Sequence, residues 1–509
     1  MEVCISMKKV LLVSMEAAFE NNIRTYAGGL GILVGDKYRA SQDMGLDVSV
    51  VTFSYPKGYG RHKVTEDGRL LMDETPYHPE KHFKLYDERE LGTNFGKLPY
   101  RIYQKKGIWV LDSEIAPRLY TEDSPRDRLK KEIFLGKVAA ELFSETKSDI
   151  LHIEESHGVF GALELNKKYK TSIKDKIRFT SHTPLPHGHE RWSSEEINQL
   201  YGPIGYAGSV NMSEVLYSIS GKVNCVSKMH AENMNNLLHW NVGYVTNGVH
   251  ISWMHPYIRK ISEGFIGSLI EEPSRLANSK AIPFEELQEA KRVAKEKLAK
   301  LVNEKAFKNL EFDDEAFTIG SARRFSSYKR NGLLLEQLNR LESYTNGKKL
   351  QIIYAGIAHR NDIEGQKMIE KILQKIKEAK KVRVAYLPAY DMDTAKAMLA
   401  GSDVWTAVPR ERDEACGTSW MKACMNGTVP MATRFGGVPE FLVDGQNSFL
   451  LNEKMDEPLS LELAEKVKHA LHVYYEDPKQ FYKIAKSAMT SSAGMTARRM
   501  MKEYFNRIY

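Results

Sequence analysis

The chain has 509 residues, 42% apolar and 27% charged, which is too long for one ordinary core and implies two large α/β domains of a globular protein. Lysine and arginine outnumber aspartate and glutamate by 73 to 66, a surplus too small at this size to argue for nucleic acid, which leaves room only for a local basic site for an anionic substrate. No uninterrupted apolar stretch approaches a membrane span, and residues 1–7 lack the apolar core of a secretory signal. The four cysteines (Cys4, Cys225, Cys416 and Cys424) show no paired metal spacing and suit a reducing cytosol, so a cytoplasmic location is expected.

The first strand is expected to start at Met7-Lys-Lys-Val-Leu-Leu-Val. Strand-like runs follow at Val10–Ser14, Asp47–Phe53, Ile108–Asp112, Ile150–Glu154, Ile177–Ser181, Val223–Ser227 and Val242–Thr246. Helical patterns such as Arg126 to Ser144 separate many of them, so a mainly parallel sheet covered on both faces is expected. Between the halves, Pro256 to Asp314 holds a lysine-rich amphipathic helix, Phe284 to Asn303, whose charge reads as a solvated face. A second set of strands is expected at Phe317–Ser321, Leu350–Ala355, Val382–Leu387, Val404–Ala407, Val429–Ala432 and Ser448–Leu451, with helices at Gln366–Ala379 and Asp393–Ala400. The final segment, Asp456 to Tyr509, reads as helices with a break near Ser491–Gly494. The expected domains are residues 1–256 and 257–509, with the last helices free to return to the first.

Seven segments carry chemistry. Tyr26-Ala-Gly-Gly-Leu-Gly-Ile-Leu-Val-Gly-Asp36 places glycines between the first strand and an expected helix Asp36 to Met44. Bare glycine N–H groups at a helix start attract phosphate; a packing turn is an equal reading, and the lysine of a Walker loop is missing. Ile153-Glu-Glu-Ser-His157 and Thr180-Ser-His-Thr-Pro-Leu-Pro-His-Gly-His-Glu-Arg-Trp192 each end a strand. Histidines 152, 157, 182, 187 and 189 lack the helical pair with a glutamate that zinc proteases use, so no metal is expected and sugar hydroxyls are the better ligands. Gly243-Tyr-Val-Thr-Asn-Gly-Val-His250 is by itself a turn signal. Ser321-Ala-Arg-Arg-Phe-Ser-Ser-Tyr-Lys-Arg330 is a solvated cluster if helical and an anion clamp if it leaves a strand end. Tyr386-Leu-Pro-Ala-Tyr-Asp-Met-Asp393 leads towards Glu414–Gly427, E-A-C-G-T-S-W-M-K-A-C-M-N-G. That stretch puts an acid, a hydroxyl turn and Lys422 into a strand–loop–helix unit, the place where α/β sheets hold cofactors. A buried lysine neutralised by Glu414 is the plainer alternative. Cys416 and Cys424 read as small buried residues.

Taken in this order from about Ser14 to Gly427, the segments resemble those of the short α-glucan (glycogen/maltodextrin) phosphorylases. The resemblance implies two facing Rossmann-type doubly wound domains with an interdomain cleft, the glycosyltransferase-B arrangement. It implies pyridoxal 5'-phosphate held as a Schiff base on Lys422, with Arg323 near the cofactor phosphate and Tyr390 and Thr418 beside the cofactor. Gly28, Gly29 and Leu30 would meet the substrate phosphate, which Arg324 and Lys329 would bind. His182, Asn247, Glu414, Cys416 and Gly417 would contact the reacting glucose, Tyr328 would pack on the sugar, and Glu155 and His157 would shape the neighbouring glucan path.

The activity implied is retaining transfer of a terminal glucosyl unit from an α-1,4-glucan or maltodextrin to phosphate, giving α-glucose 1-phosphate. Dimers are common in that family, so a homodimer is the state suggested. Three departures stand out. Glu154 occupies a position where the family usually has asparagine, Cys416 replaces a serine, and Gly436-Gly-Val-Pro-Glu440 looks more like the donor loop of nucleotide-sugar glycosyltransferases. The second reading is therefore a nucleotide-sugar-dependent, glycogen-synthase-like enzyme of the same fold. A non-catalytic glucan-binding protein is the third.

Overall fold

The computed structural model describes residues 8–120, 124–185, 188–307, 311–452 and 458–509; Cys4, Met7, His187 and Asp456 lie outside these. The described residues form two compact units. The first draws on Met1–Tyr59, Glu74–Asn247 and Met500–Tyr509, and the second on Gly60–Asp73 and Gly248–Arg499.

The first unit is built on a nine-stranded sheet. Its strands are β1 (Val10–Val13), β2 (Val48–Phe53), β3 (Lys84–Thr93), β4 (Gly96–Lys105), β5 (Ile108–Asp112), β6 (Ile150–Glu154), β7 (Ile177–Thr180), β8 (Lys222–Cys225) and β9 (Gly243–Tyr244). They lie in the order β9-β8-β7-β6-β1-β2-β5-β4-β3. Strands β1, β2 and β6 are buried along their whole length, as parallel strands covered on both faces must be. Strand β1 pairs with β2 on one side and β6 on the other, Val10 opposite both Val48 and Ile150. The strand order reverses there, so the loops leaving β1 and β6 flank a crevice at the carboxyl ends.

The hairpin β3–β4 was not among the expected strands. It pairs antiparallel, Thr93 opposite Gly96, and most of β3 is exposed. Its alternating charges, such as Glu88 with Arg101 at 2.8 Å, give no buried apolar run to read. The helix after the glycine segment is Gly29–Asp43, beginning seven residues before the expected start. Glycines 31 and 35 serve packing inside it: a Cβ on Gly35 would stand 2.0 Å from the Ala18 carbonyl oxygen.

The second unit is built on a six-stranded sheet of β10 (Phe317–Ala322), β11 (Leu350–Ala355), β12 (Arg383–Leu387), β13 (Val404–Ala407), β14 (Val429–Thr433) and β15 (Phe449–Leu451). All pair in parallel in the order β12-β11-β10-β13-β14-β15. This doubly wound order reverses between β10 and β13. A further hairpin, Arg61–Val64 with Leu70–Asp73, belongs to this unit, His62 Nδ1 lying 3.3 Å from the Tyr386 hydroxyl. Two doubly wound α/β units of this kind match the glycosyltransferase-B class.

The lysine-rich helix, Phe284–Lys305, corrects the expectation that its charge is a solvated face. Lys291 and Lys295 are buried. Lys291 donates to the Ser402 carbonyl and the Thr428 hydroxyl, both at 2.7 Å. Lys295 pairs with Asp403 at 2.8 Å, and the same carboxylate oxygen accepts the Thr318 N–H. These ammonium groups tie the helix to the amino-terminal side of the sheet, where backbone acceptors compensate their loss of water. No helix among the described residues is long and apolar enough to cross a membrane.

Burial pushes His62 down to about 4, against which a hydrogen bond to Ala358 only partly acts. The unfolded chain takes up this proton below about 6.5, whereas the folded ring stays neutral until about 4. Folding therefore loses stability as pH falls through that window. Urea unfolding should show a steeper loss between these limits for the wild type than for His62→Gln; equal slopes would contradict the buried neutral ring.

Candidate active site

In the first unit, Glu154 ends β6 and Glu155 follows it with φ +63 and ψ 176, a backbone conformation costly for any residue but glycine. The kink sends the two carboxylates in different directions. Glu155 Oε1 accepts the His182 N–H at 3.1 Å and the Thr183 hydroxyl at 2.6 Å, holding the loop that leaves β7. Its Oε2 is buried without a hydrogen-bond partner, as are Ser156 Oγ, His157 Nδ1 and Ser181 Oγ. Polar atoms left unpaired at strand carboxyl ends are what a polyhydroxyl ligand would satisfy.

Glu154 is fully buried and accepts from Lys37 Nζ and from His182 Nε2, both at 2.6 Å. His157 Nε2 lies 2.9 Å from Arg128 Nη2. Glu132, His157 and Glu190 bring ligand atoms within 4.8 Å of one another, but the Arg128 guanidinium already bonds to all three and supplies the positive charge. Burial and the neighbouring Glu190 raise the Glu132 carboxyl well above the usual range. Glu190 is held below it despite burial, chiefly by His157 and by a hydrogen bond with Glu132, with Arg128 adding to the effect.

The glycine segment is tied to this neighbourhood. Glu16 Oε2 accepts the Ala27 and Gly28 N–H groups at 2.6 and 2.9 Å, and Tyr120 donates its hydroxyl to Glu16 Oε1 at 3.3 Å. The Tyr120 ring lies 6.2 Å from His157. The Gly28 N–H is therefore already engaged. Gly29 and Leu30 open the helix, where N–H groups have no intrahelical acceptor, and a Cβ on Gly29 would meet nothing within 4 Å. Asn247 is buried, its N–H bonded to the Val226 carbonyl at 3.1 Å. Of the other histidines, His152 and His189 serve the core, bonded to Thr180 and Ser213 respectively.

In the second unit the cationic segment leaves β10 and the Glu414–Gly427 segment follows β13, on the two sides of the strand-order reversal. Arg330 joins the two loops: its Nε donates to the Val408 carbonyl at 2.8 Å and its Nη2 to that of Pro409. Lys329 forms a largely buried ion pair with Glu414 and lies 4.6 Å over the Tyr328 ring. Burial alone would lower the Lys329 ammonium, but Glu414 outweighs it and the net shift is upward. Arg324 is exposed. Arg323 Nε and Nη2 are shielded from solvent without a hydrogen-bond partner, and burial brings that guanidinium down to about 10 despite Glu414. An anionic group is the ligand that these donors lack.

Lys422 sits on the short helix Ser419–Met425 and is buried. Its Nζ lies 3.4 Å from the Thr418 hydroxyl and 4.0 Å over the Trp253 ring. Asn426 fixes that tryptophan, donating to the Trp253 carbonyl at 2.9 Å and accepting the His255 N–H at 2.7 Å. Cys416 is buried, as is Cys424, whose thiol burial pushes up. Tyr390 and Gly417 are part-exposed. Gly436, at φ +60, lets its loop approach the Glu414 and Ala415 carbonyls, where a Cβ would stand 3.0 and 3.1 Å away. The first glycine of that loop thus has a packing reason.

Sequence reasoning overlooked Glu16, Lys37, Arg128, Trp253 and Arg330 in these roles. The polar ones belong to segments already singled out or to ordinary helices, and Trp253 lies just past a turn signal. Only their long-range partners distinguish them.

Residues 204–509 match the family model described as carbohydrate phosphorylase, and residues 9–239 match the starch synthase catalytic domain. Maltodextrin phosphorylase of Thermococcus litoralis is 28% identical over 98% of this chain and 70% of its own length. Glycogen phosphorylase of Aquifex aeolicus is 28% identical over 99% and 86%. Glycogen synthase of Haemophilus influenzae is 24% identical over 82% of each chain. With the phosphorylase model covering more than half of the sequence, the chain belongs to the carbohydrate phosphorylase family.

Proposed function

We propose that this protein is a retaining α-1,4-glucan phosphorylase that moves the terminal glucosyl unit of a maltodextrin to orthophosphate and releases α-glucose 1-phosphate. The observation that carries the reading is the buried Lys422 ammonium over Trp253, on the same strand-order reversal as the unpartnered Arg323 donors. A lysine held there and a guanidinium short of an anion fit pyridoxal phosphate. Lys422 would hold its ring, Arg323 its phosphate, and Thr418 and Tyr390 its flanks. When bound, that group supplies a phosphate as proton donor or electrostatic partner to the reaction.

The chain's own residues do the rest. Arg324 and Lys329 bind the attacking phosphate, and the Gly29 and Leu30 N–H groups add donors, an arrangement that stabilises charge where it develops. A phosphate oxygen bonds to the anomeric carbon as the glycosidic bond breaks on the same face, and the phosphate proton passes to the leaving oxygen. His182, Asn247 and Glu414 orient the glucosyl ring, while Glu155 and His157 line the glucan path. Glu414 is committed to Lys329 by an ion pair, so it is an acceptor for a sugar hydroxyl and a brake on the lysine's position, not a proton donor. A cytoplasmic location and a homodimer complete the proposal.

The glycogen synthase relatives keep a nucleotide-sugar donor as the second reading, in which Glu440 would serve the donor and Lys422 would have no covalent role. Borohydride reduction and peptide mapping separate the two. The expected result is a pyridoxyl adduct on Lys422, absent from Lys422→Ala together with phosphorolysis. A Lys422→Ala protein of full phosphorolytic activity would refute the cofactor assignment.

Lys329→Met should lower kcat for phosphorolysis by about 100- to 1,000-fold, the usual cost of one preorganised donor. Lys329→Arg should not restore it, because the fork geometry differs from a point charge. Full activity of either variant in steady-state assays would remove Lys329 from the phosphate site.

A further inference from the structure

The Glu154–Lys37 pair has no part in the reaction as described, yet it is among the most completely buried charge in the first unit. Both side chains are 0% exposed. Lys37 Nζ also bonds the Tyr504 hydroxyl at 3.1 Å and lies 4.2 Å from that ring. The Tyr504 hydroxyl in turn accepts from Asn224 Nδ2 at 3.2 Å and lies 3.3 Å from the Thr180 hydroxyl. Thr180 donates to Asn224 Oδ1 at 2.9 Å and meets His152 Nε2 at 2.7 Å, and His152 Nδ1 meets the Tyr509 hydroxyl at 2.7 Å. Elements β6, β7, β8, the helix Gly29–Asp43 and the segment Tyr504–Ile508 therefore all contribute to one buried network around the Glu154–Lys37 pair.

Replacing such a pair with apolar side chains of the same volume generally costs little or nothing in stability. What the carboxylate does next is directional. Burial would raise Glu154, but Lys37 and then the two histidines outweigh it and hold the carboxyl far below its usual range. An ionised carboxylate has no proton to give. Its Oε2 contact at 2.6 Å with His182 therefore requires the ring to donate from Nε2. Nδ1 makes no hydrogen bond to protein among the described residues, and the ring keeps 9% of its surface exposed. In the neutral ring, protonation at Nε2 leaves a lone pair on Nδ1. A neutral amide in place of Glu154 could turn either its oxygen or its nitrogen to Nε2 and would leave the tautomer open.

We propose that Glu154, anchored by Lys37, is a positioning residue that fixes the His182 proton on Nε2 and so presents Nδ1 as an acceptor for a glucosyl hydroxyl. The assignment rests on the proposed phosphorolysis for its substrate, but the tautomer does not. The specificity that follows is for a hydroxyl that donates: a sugar analogue with a non-donating group there would lose the contact.

The test uses the full-length Lys37→Met/Glu154→Gln double variant, which removes both charges together, because Glu154→Gln alone leaves an unpaired ammonium and risks the fold. Ring-nitrogen NMR of histidine-labelled protein above the imidazole titration reads the tautomer, with the His182 signals assigned from His182→Asn. The wild type should show His182 protonated at Nε2, and the double variant a mixture of tautomers. The kcat for maltodextrin phosphorolysis should fall on the order of 100-fold, as for a displaced reacting group, with the KM for phosphate unchanged. A wild-type ring protonated at Nδ1, or a double variant that keeps both the Nε2–H signal and kcat, would overturn the proposal. A wild type that forms no α-glucose 1-phosphate would refute the reaction, and the tautomer would then decide on Glu154 by itself.

Discussion

In a parallel sheet every strand delivers its carboxyl end to the same edge, and side chains too polar for the core collect in the loops that leave that edge. Charge held there is poorly hydrated and must find a partner. Both units obey this constraint at the point where their strand order reverses. In the first, Glu154 takes Lys37 and His182, and Glu155 takes the loop after β7. In the second, Lys329 takes Glu414 and Arg330 takes two carbonyls of the loop after β13. The pairs set the loops before any ligand arrives, and preorganised groups of this kind act with little reorganisation at the moment of reaction.

The pairing is incomplete in a chemically consistent way. Arg323 keeps donors without an acceptor, and Glu155, Ser156, His157 and Ser181 keep buried atoms without a partner. The donors left over in the second unit suit an anion, and the polar atoms left over in the first suit hydroxyl groups. That division agrees with a family whose members named here are maltodextrin and glycogen phosphorylases. The opposite end of the second sheet shows what a saturated arrangement looks like, since Lys291 and Lys295 reach several acceptors each and serve stability.

How much of this was legible in the sequence depended on whether a residue's role is local. Ile150–Glu154, Leu350–Ala355 and Val404–Ala407 could be read to the residue, because a short, mostly apolar run between polar segments is what a strand buried on both faces requires. The hairpin Lys84–Thr93 with Gly96–Lys105 could not, because an exposed antiparallel edge leaves charges where a core strand has valines. The glycine segment suggested a loop before a helix, whereas Gly31 and Gly35 lie within the helix and answer a close approach by Glu16 and Ala18. The lysines of Phe284–Lys305 looked solvated since their acceptors, Asp403 and the carbonyls near it, lie about a hundred residues away. Glu154 could be seen as a departure, but its partner Lys37, and Tyr504 beyond that lysine, are set by topology alone.

Phosphorus NMR of the purified protein with maltodextrin and orthophosphate decides whether it phosphorolyses a glucan. Growth of the α-glucose 1-phosphate resonance at the expense of orthophosphate, without the β anomer and dependent on Lys422, is the expected result. No sugar phosphate under these conditions, together with release of nucleoside diphosphate from a nucleotide-sugar donor in the presence of the same glucan, would contradict it.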